Sequence, residues 1–192
     1  MIISVFGGAA PKAGEPPYEE ARQLGYMLGC AGHTLLTGGY IGVMEAVSRG
    51  GREAGAHVIG ATCGQIEKSH LDRKPNPYLC EEWRFETLQE RLFALIERCD
   101  AAIAMPGGAG TLAEISIMWN EMIIGAIPHR PLILLGQPWQ HTFHHFIEQF
   151  DSYISPRDRA FLVYSPDVSS AVETVKTISS KQAILNQEMR HE

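Results

Sequence analysis

Residues 106–114 read Pro-Gly-Gly-Ala-Gly-Thr-Leu-Ala-Glu, three glycines in four positions followed by a hydroxyl and a carboxylate. Glycine lets the backbone turn tightly and lets a ligand approach the amide N–H groups. Where such a turn opens a helix, unpaired N–H groups and the helix dipole together favour an anion. Gly107, Gly108, Gly110 and Thr111 therefore read as a phosphate-binding turn, with Thr111 adding a hydroxyl donor. Two further clusters carry the same signal: Gly7 and Gly8, then Gly38, Gly39 and Gly42. The three loops hold eight of the 19 glycines. Neither common nucleotide template fits, because Gly-Lys-Ser/Thr is absent and Gly7-Gly8 lacks the GxGxxG spacing.

Two charged residues accompany the third loop. Glu114 falls in the first turns of the helix that the loop opens, where the dipole favours an acid and capping is the plain structural role. Its helical neighbours are Thr111 and Met118, so it can also share the face of the phosphate turn. Arg91 flanks an apolar stripe of Phe85, Leu88, Leu92, Leu95 and Ile96. Taken alone, an arginine at such a margin snorkels to solvent or pairs with a carboxylate. His141, His144 and His145 sit close together, but without the carboxylate of a metalloprotease pattern they read as a solvated helix face, and no metal is expected. Arg73-Lys74 and Trp83-Arg84 border an irregular stretch, 62–80, that can either cap a ligand or form ordinary surface.

The elements that must hold these residues alternate along the chain. Apolar strand-like runs at 2–6, 33–36, 57–61, 101–105, 131–135 and 162–164 interleave with helix-period segments at 18–31, 42–54, 85–98, 111–124, 142–150 and 167–179. Such alternation implies right-handed βαβ crossovers, hence an α/β, doubly wound, Rossmann-like parallel sheet with helices on both faces. All three glycine clusters then fall at carboxyl ends of strands, where such sheets bind ligands. The reading is one domain over residues 1–180 and a polar tail over 181–192. The apolar residues of the helix after the third loop (Ile115, Ile117, Met118, Trp119, Met122, Ile123 and Ile124) face more than one direction, which calls for a homodimer interface or cover from a neighbouring helix.

Composition sets the outer limits. The chain has 192 residues, 45% hydrophobic and 20% charged, with net charge −6 from 16 Lys+Arg against 22 Asp+Glu. That balance offers no basic surplus for tracking a nucleic acid polymer. The four cysteines (Cys30, Cys63, Cys80, Cys99) show no CxxC spacing and read as reduced thiols. The N-terminus lacks a signal-peptide pattern, and no apolar run approaches the roughly 18 residues of a membrane span. A cytoplasmic protein is expected.

Arg91 followed by Pro106-Gly-Gly-Ala-Gly-Thr-Leu-Ala-Glu114 resembles the PGGxGTxxE signature, with its upstream arginine, of the LONELY GUY (LOG) family, a group often labelled lysine decarboxylases. The stretch Thr37-Gly-Gly-Tyr-Ile-Gly-Val-Met44 is similar to the family's Gly-Gly-Gly-x-x-Gly-Leu-Met, and the first strand with Gly7-Gly8 matches its N-terminal phosphate loop. The resemblance spans roughly residues 2–135. It implies a dimeric, cofactor-free phosphoribohydrolase that cleaves the N-glycosidic bond of nucleoside 5′-monophosphates, including cytokinin ribotides, with Arg91 and Glu114 as catalytic residues. Gly7, Gly8, Gly38, Gly39, Gly42, Gly107, Gly108, Gly110 and Thr111 would hold phosphate and ribose. The decarboxylase label does not fit, since none of the five lysines lies in a glycine-loop element to form a Schiff base. Four departures stand out. The family's Arg-Lys-x-Glu-Met is here Arg91-Leu-Phe-Ala-Leu95, Thr37 replaces a glycine, and Glu45 replaces a small residue. Asn120-Glu-Met-Ile-Ile-Gly125 stands where Thr-Trp-Ala-Gln-Leu-Gly is usual. These departures resemble a branch of molybdenum-cofactor carrier proteins, so the alternative is a carrier of a phosphorylated small molecule such as a pterin.

Overall fold

The computed structural model describes residues 1–69 and 73–188. Its strands are β1 (Ile2–Phe6), β2 (Thr34–Thr37), β3 (Val58–Cys63), β4 (Glu81–Phe85), β5 (Ala101–Ala104), β6 (Leu132–Leu135) and β7 (Leu162–Ser165). They form one sheet in the order β4-β3-β2-β1-β5-β6-β7, every pair parallel. The strand order reverses at β1, which pairs with β2 on one side and β5 on the other. That reversal is the topological switch point at which such sheets bind ligands.

Side chains alternate across the sheet and divide the core into two layers. Ile3, Val5, Ala101 and Ile103 face α1 (Pro16–Cys30), α2 (Val43–Glu53) and α8 (Val168–Glu188). Phe6, Ala102 and Ala104 face α4 (Leu88–Glu97), α5 (Ala109–Ile123) and α6 (Gln137–Gln149). On this second side Ser4 is fully buried, and its hydroxyl donates to the Leu95 carbonyl at 2.8 Å, which removes the penalty of an unpaired polar group. α4 starts with a capping box, Thr87 accepting from the Glu90 N–H while the Glu90 side chain reaches back to Thr87. α1 and α2 come into backbone contact at two glycines. A Cβ at Gly50 would collide with the Arg22 carbonyl, and one at Gly25 with that of Val47.

The α/β class and the alternation agree with the sequence, and several stretches differ from it. Phe85 does not open a helix. It ends β4, opposite Cys63, and α4 begins only at Leu88. Within the stretch read as irregular lies a short helix, α3 (Gly64–Ser69). β4 has the sequence Glu-Glu-Trp-Arg-Phe and forms an edge of the sheet, where charged side chains meet solvent and deter pairing with another chain. Towards the C-terminus α7 (Pro156–Arg159) precedes β7. α8 runs to Glu188, and residues 189–192 of the expected tail lie outside the described residues. Among the described residues no helix is long and apolar enough to cross a membrane.

Candidate functional site

The three glycine loops converge above the carboxyl ends of β1, β2 and β5. The Gly8 N–H donates to the Pro106 carbonyl at 3.2 Å, and the Val43 N–H donates to the Gly8 carbonyl at 2.9 Å, so the first loop is tied to both others. Close approach explains some of the glycines, though a Cβ at Gly108 or Gly110 would meet nothing within 4 Å. A Cβ at Gly107 would strike Thr111 Oγ1 and lie 2.9 Å from the Gly8 nitrogen, and one at Gly42, where φ is +74°, would strike the Gly8 carbonyl. Gly108 is the N-cap of α5, and the Leu112 N–H closes the first turn onto its carbonyl at 3.0 Å. The preceding N–H groups, of Ala109, Gly110 and Thr111, have no helical carbonyl to reach and mark an anion site at the helix start.

A cavity of about 270 Å³ opens onto this turn. Gly7, Gly8, Gly108, Gly110, Thr111, Arg91 and Glu114 line it, together with Ala9, Tyr40, Met44, Ile66, Arg73 and Leu88. Gly38, Gly39, Gly42 and Gly107 stand behind its walls. Gly38 lends its carbonyl to Arg91, Gly39 turns at φ +78° beside Gly60, and Gly107 lies against Gly8. Tyr40 and Met44 belong to the glycine stretch quoted above. Arg73 belongs to the stretch read as able to cap a ligand, and Ile66 and Leu88 had no signal of their own beyond their apolar character.

Arg91 neither snorkels nor pairs with a carboxylate. It is 6% exposed, its Nε donates to the Ala61 carbonyl at 2.7 Å, and its Nη2 donates to the Gly38 carbonyl at 3.0 Å. The guanidinium carbon lies 5.6 Å from the centre of the Tyr40 ring. Tyr40 is fixed in turn, its hydroxyl accepting from the Cys63 N–H at 2.8 Å. Two of the five N–H donors of Arg91 are thus committed to backbone carbonyls, and Nη2 also lies 3.8 Å from the Met44 sulfur.

Glu114 is 9% exposed. Among the described residues no hydrogen bond or ion pair joins it to Arg91, and the cavity is lined by both. Burial pushes its pKa up from 4.5 to about 7, and the positive charge of Arg91 partly opposes that rise. A carboxyl group that changes charge near neutral pH, beside a buried guanidinium and a helix N-terminus, is equipped to take a proton from water and to face developing positive charge.

None of the four departures from the family pattern lines this cavity. Thr37 is fully buried, its hydroxyl accepting from the Gly39 N–H at 3.2 Å and sharing a hydrogen with Ser48 Oγ. Glu45 turns towards α1 and accepts from the Tyr18 hydroxyl at 2.9 Å. Leu92 and Leu95 pack into the core under α4. Asn120 lines a different cavity, between α5 and α6. His141, His144 and His145 are exposed on α6, with the His144 ring 4.8 Å from that of Tyr164. Trp83 and Arg84 lie on the outer edge strand, where Arg84 binds Glu67 at 2.6 Å.

The fold and the loop-end cavity define a Rossmann-like protein with a glycine-lined cavity at the switch point of its sheet. The model of the SLOG cluster4 family matches residues 1–152. A cytokinin riboside 5′-monophosphate phosphoribohydrolase of Mycobacterium marinum is 34% identical over 141 residues, covering 72% of each chain. One named for the same activity in Arabidopsis thaliana is 30% identical over 182 residues, covering 91% of this chain and 80% of its own. The chain belongs to the SLOG cluster4 family and, with these relatives, to the LONELY GUY proteins. Among solved structures, the molybdenum cofactor carrier protein of Chlamydomonas reinhardtii superposes with a TM-score of 0.72 at 26% identity, covering 93% of this chain and 98% of its own.

Proposed function

We propose that the chain is a phosphoribohydrolase that cleaves the N-glycosidic bond of nucleoside 5′-monophosphates to a free base and ribose 5-phosphate. The observation that carries this reading is the pairing of Glu114, buried with a pKa of about 7, with Arg91 in a cavity that opens on the α5 N-terminus. The 5′-phosphate sits on the amides of Gly108–Thr111, with Gly8 beside it and the Thr111 hydroxyl donating. Ionised Glu114 faces the ribose, stabilises positive charge developing at C1′ and accepts a proton from the attacking water. The C1′–N bond electrons leave with the base, which takes up a proton, while the water oxygen becomes the anomeric hydroxyl. Arg91, clamped on Ala61 and Gly38, orients the substrate and balances charge on the phosphate or the leaving base. The test is incubation with a panel of nucleoside monophosphates, following free base by chromatography. Release of base by the wild type and its loss in Glu114→Gln supports the assignment; equal rates in the two proteins refute it.

A binding-only role is the second reading, favoured by the similarity to the Chlamydomonas carrier. A pterin phosphate released on denaturing the purified protein, without hydrolysis of any nucleotide, selects it.

The protein is further proposed to act as a homodimer. Leu112, Ile124, Phe146, Phe150 and Tyr153 leave an exposed apolar face along α5, α6 and the following turn. Between those helices lies a cavity of about 540 Å³. A continuous apolar face of this kind favours cover by a second copy. Sedimentation equilibrium at micromolar concentration tests it, and a monomer there removes the idea.

A further inference from the structure

The cavity contains one side-chain cation that the proposed chemistry does not use. We propose that Arg73 is a cationic side chain that binds the phosphate alongside the α5 N-terminus, a specificity residue that selects 5′-phosphorylated ligands over unphosphorylated ones. The inference deepens the reading above and rests on it for the ligand class.

The first argument is charge. Arg73, Arg91 and Glu114 are the acidic and basic side chains that line the cavity. A phosphate monoester brings about −1.5 to −2 at neutral pH. The α5 N-terminus contributes an effective charge of roughly +0.5. Arg91 faces Glu114, and when Glu114 ionises the two largely offset each other. Without Arg73 the bound phosphate remains mostly unbalanced, and the glycine loops supply only backbone dipoles.

The second argument is availability. Two donors of Arg91 are held by the Ala61 and Gly38 carbonyls, whereas among the described residues no carboxylate or carbonyl takes the Arg73 guanidinium. Arg84, the next arginine along the chain, is bound to Glu67 through two of its nitrogens, at 3.0 and 2.6 Å. Arg73 is half-buried, so its stem is covered while its charged end reaches the cavity.

The third argument is position. Asn76, three residues on, is 6% exposed and fastened under the second glycine loop. Its N–H donates to the Gly39 carbonyl at 2.8 Å, and its side-chain amide donates to the Tyr40 carbonyl at 3.1 Å. Three extended residues span at most about 10 Å, so this anchor confines the Arg73 backbone to the rim of the cavity. Arginine suits the task because its planar fork matches two phosphate oxygens at once.

The experiment compares wild type, Arg73→Ala and Arg73→Lys on a nucleoside monophosphate and on the matching nucleoside. It also measures ribose 5-phosphate binding by titration calorimetry. Arg73→Ala is expected to raise KM for the monophosphate tenfold or more with a smaller change in kcat, and to lower the monophosphate-to-nucleoside ratio of kcat/KM by the same order. Arg73→Lys recovers part of that ratio. A ratio unchanged in Arg73→Ala overturns the proposal while leaving the hydrolase reading intact. If the wild type hydrolyses nothing, calorimetry decides: weaker ribose 5-phosphate binding by Arg73→Ala supports the assignment, and equal binding, or none by either protein, overturns it.

Discussion

Replacing Glu114 by glutamine should make the protein more stable while removing its activity, and the gain should depend on pH in a defined way. Burial holds the Glu114 pKa at about 7 against the usual 4.5. In the unfolded chain the group ionises near 4.5, so between pH 4.5 and 7 the folded protein keeps a proton that unfolding releases. Stability therefore falls as pH rises through that window and levels off above it. Each tenfold change in proton affinity is worth about 1.36 kcal/mol, so the full displacement corresponds to about 3 kcal/mol. Glutamine has nearly the shape of the protonated acid and never ionises, so it escapes this penalty. Urea unfolding at fixed protein concentration, followed by tryptophan fluorescence at pH 5, 6, 7 and 8, measures the difference between the two proteins. Glu114→Gln should match wild type within about 1 kcal/mol at pH 5 and exceed it by about 3 kcal/mol at pH 8. A gap that stays constant across the series would falsify the burial argument, and with it the role given to Glu114 as a base poised near neutrality.

Three other outcomes follow from the same geometry. If ionised Glu114 is the base, kcat/KM rises with pH to a plateau with a midpoint of about 7, read from initial rates across pH 5.5 to 8.5. Arg91→Lys cannot bridge the Ala61 and Gly38 carbonyls together, so it should destabilise by roughly 1–3 kcal/mol in urea unfolding and depress kcat/KM even at saturating pH. Alanine scanning separates two adjacent glycines: Gly107→Ala meets Thr111 and Gly8 and should lower stability, whereas Gly108→Ala meets nothing within 4 Å. Gly108→Ala should therefore keep wild-type stability and weaken ribose 5-phosphate binding, as calorimetry would show.

Most of the sheet was legible because buried strands leave plain apolar runs that end in glycine. β4 was not, since an edge strand carries Glu81, Glu82 and Arg84 into solvent and so lacks the run that marks its neighbours. Its last residue, Phe85, fitted a helical stripe equally well, which drew the expected helix too far towards the N-terminus. In the site, the glycine turn and Glu114 share one contiguous segment, and helical spacing placed them on one face. The inward course of Arg91 had no such mark. Its partners are main-chain carbonyls 30 and 53 residues away, and a carbonyl leaves no trace in a sequence. The same holds for Asn76, whose side-chain bonds to the Tyr40 carbonyl and the Ser48 hydroxyl run 36 and 28 residues back. Thr37 looked like a change in the pocket and proved to be a buried hydrogen-bonding residue beneath it.

The seam where α1 and α2 touch backbone to backbone bears on how such a site can diversify. With no side-chain thickness between Gly50 and Arg22 or between Gly25 and Val47, those two contacts have no rotamer to repack. The first two glycine loops are joined by the bond from Val43 to Gly8 and by the Val43 side chain, which packs where a Cβ at Gly7 would stand. The opposite rim is built otherwise, from side chains such as Ile66, Arg73 and Leu88 on separate segments. One half of the pocket works as a fixed template and the other as an exchangeable one. Substitution at Ile66 or Leu88 can reshape that rim while the glycine loops opposite stay as they were.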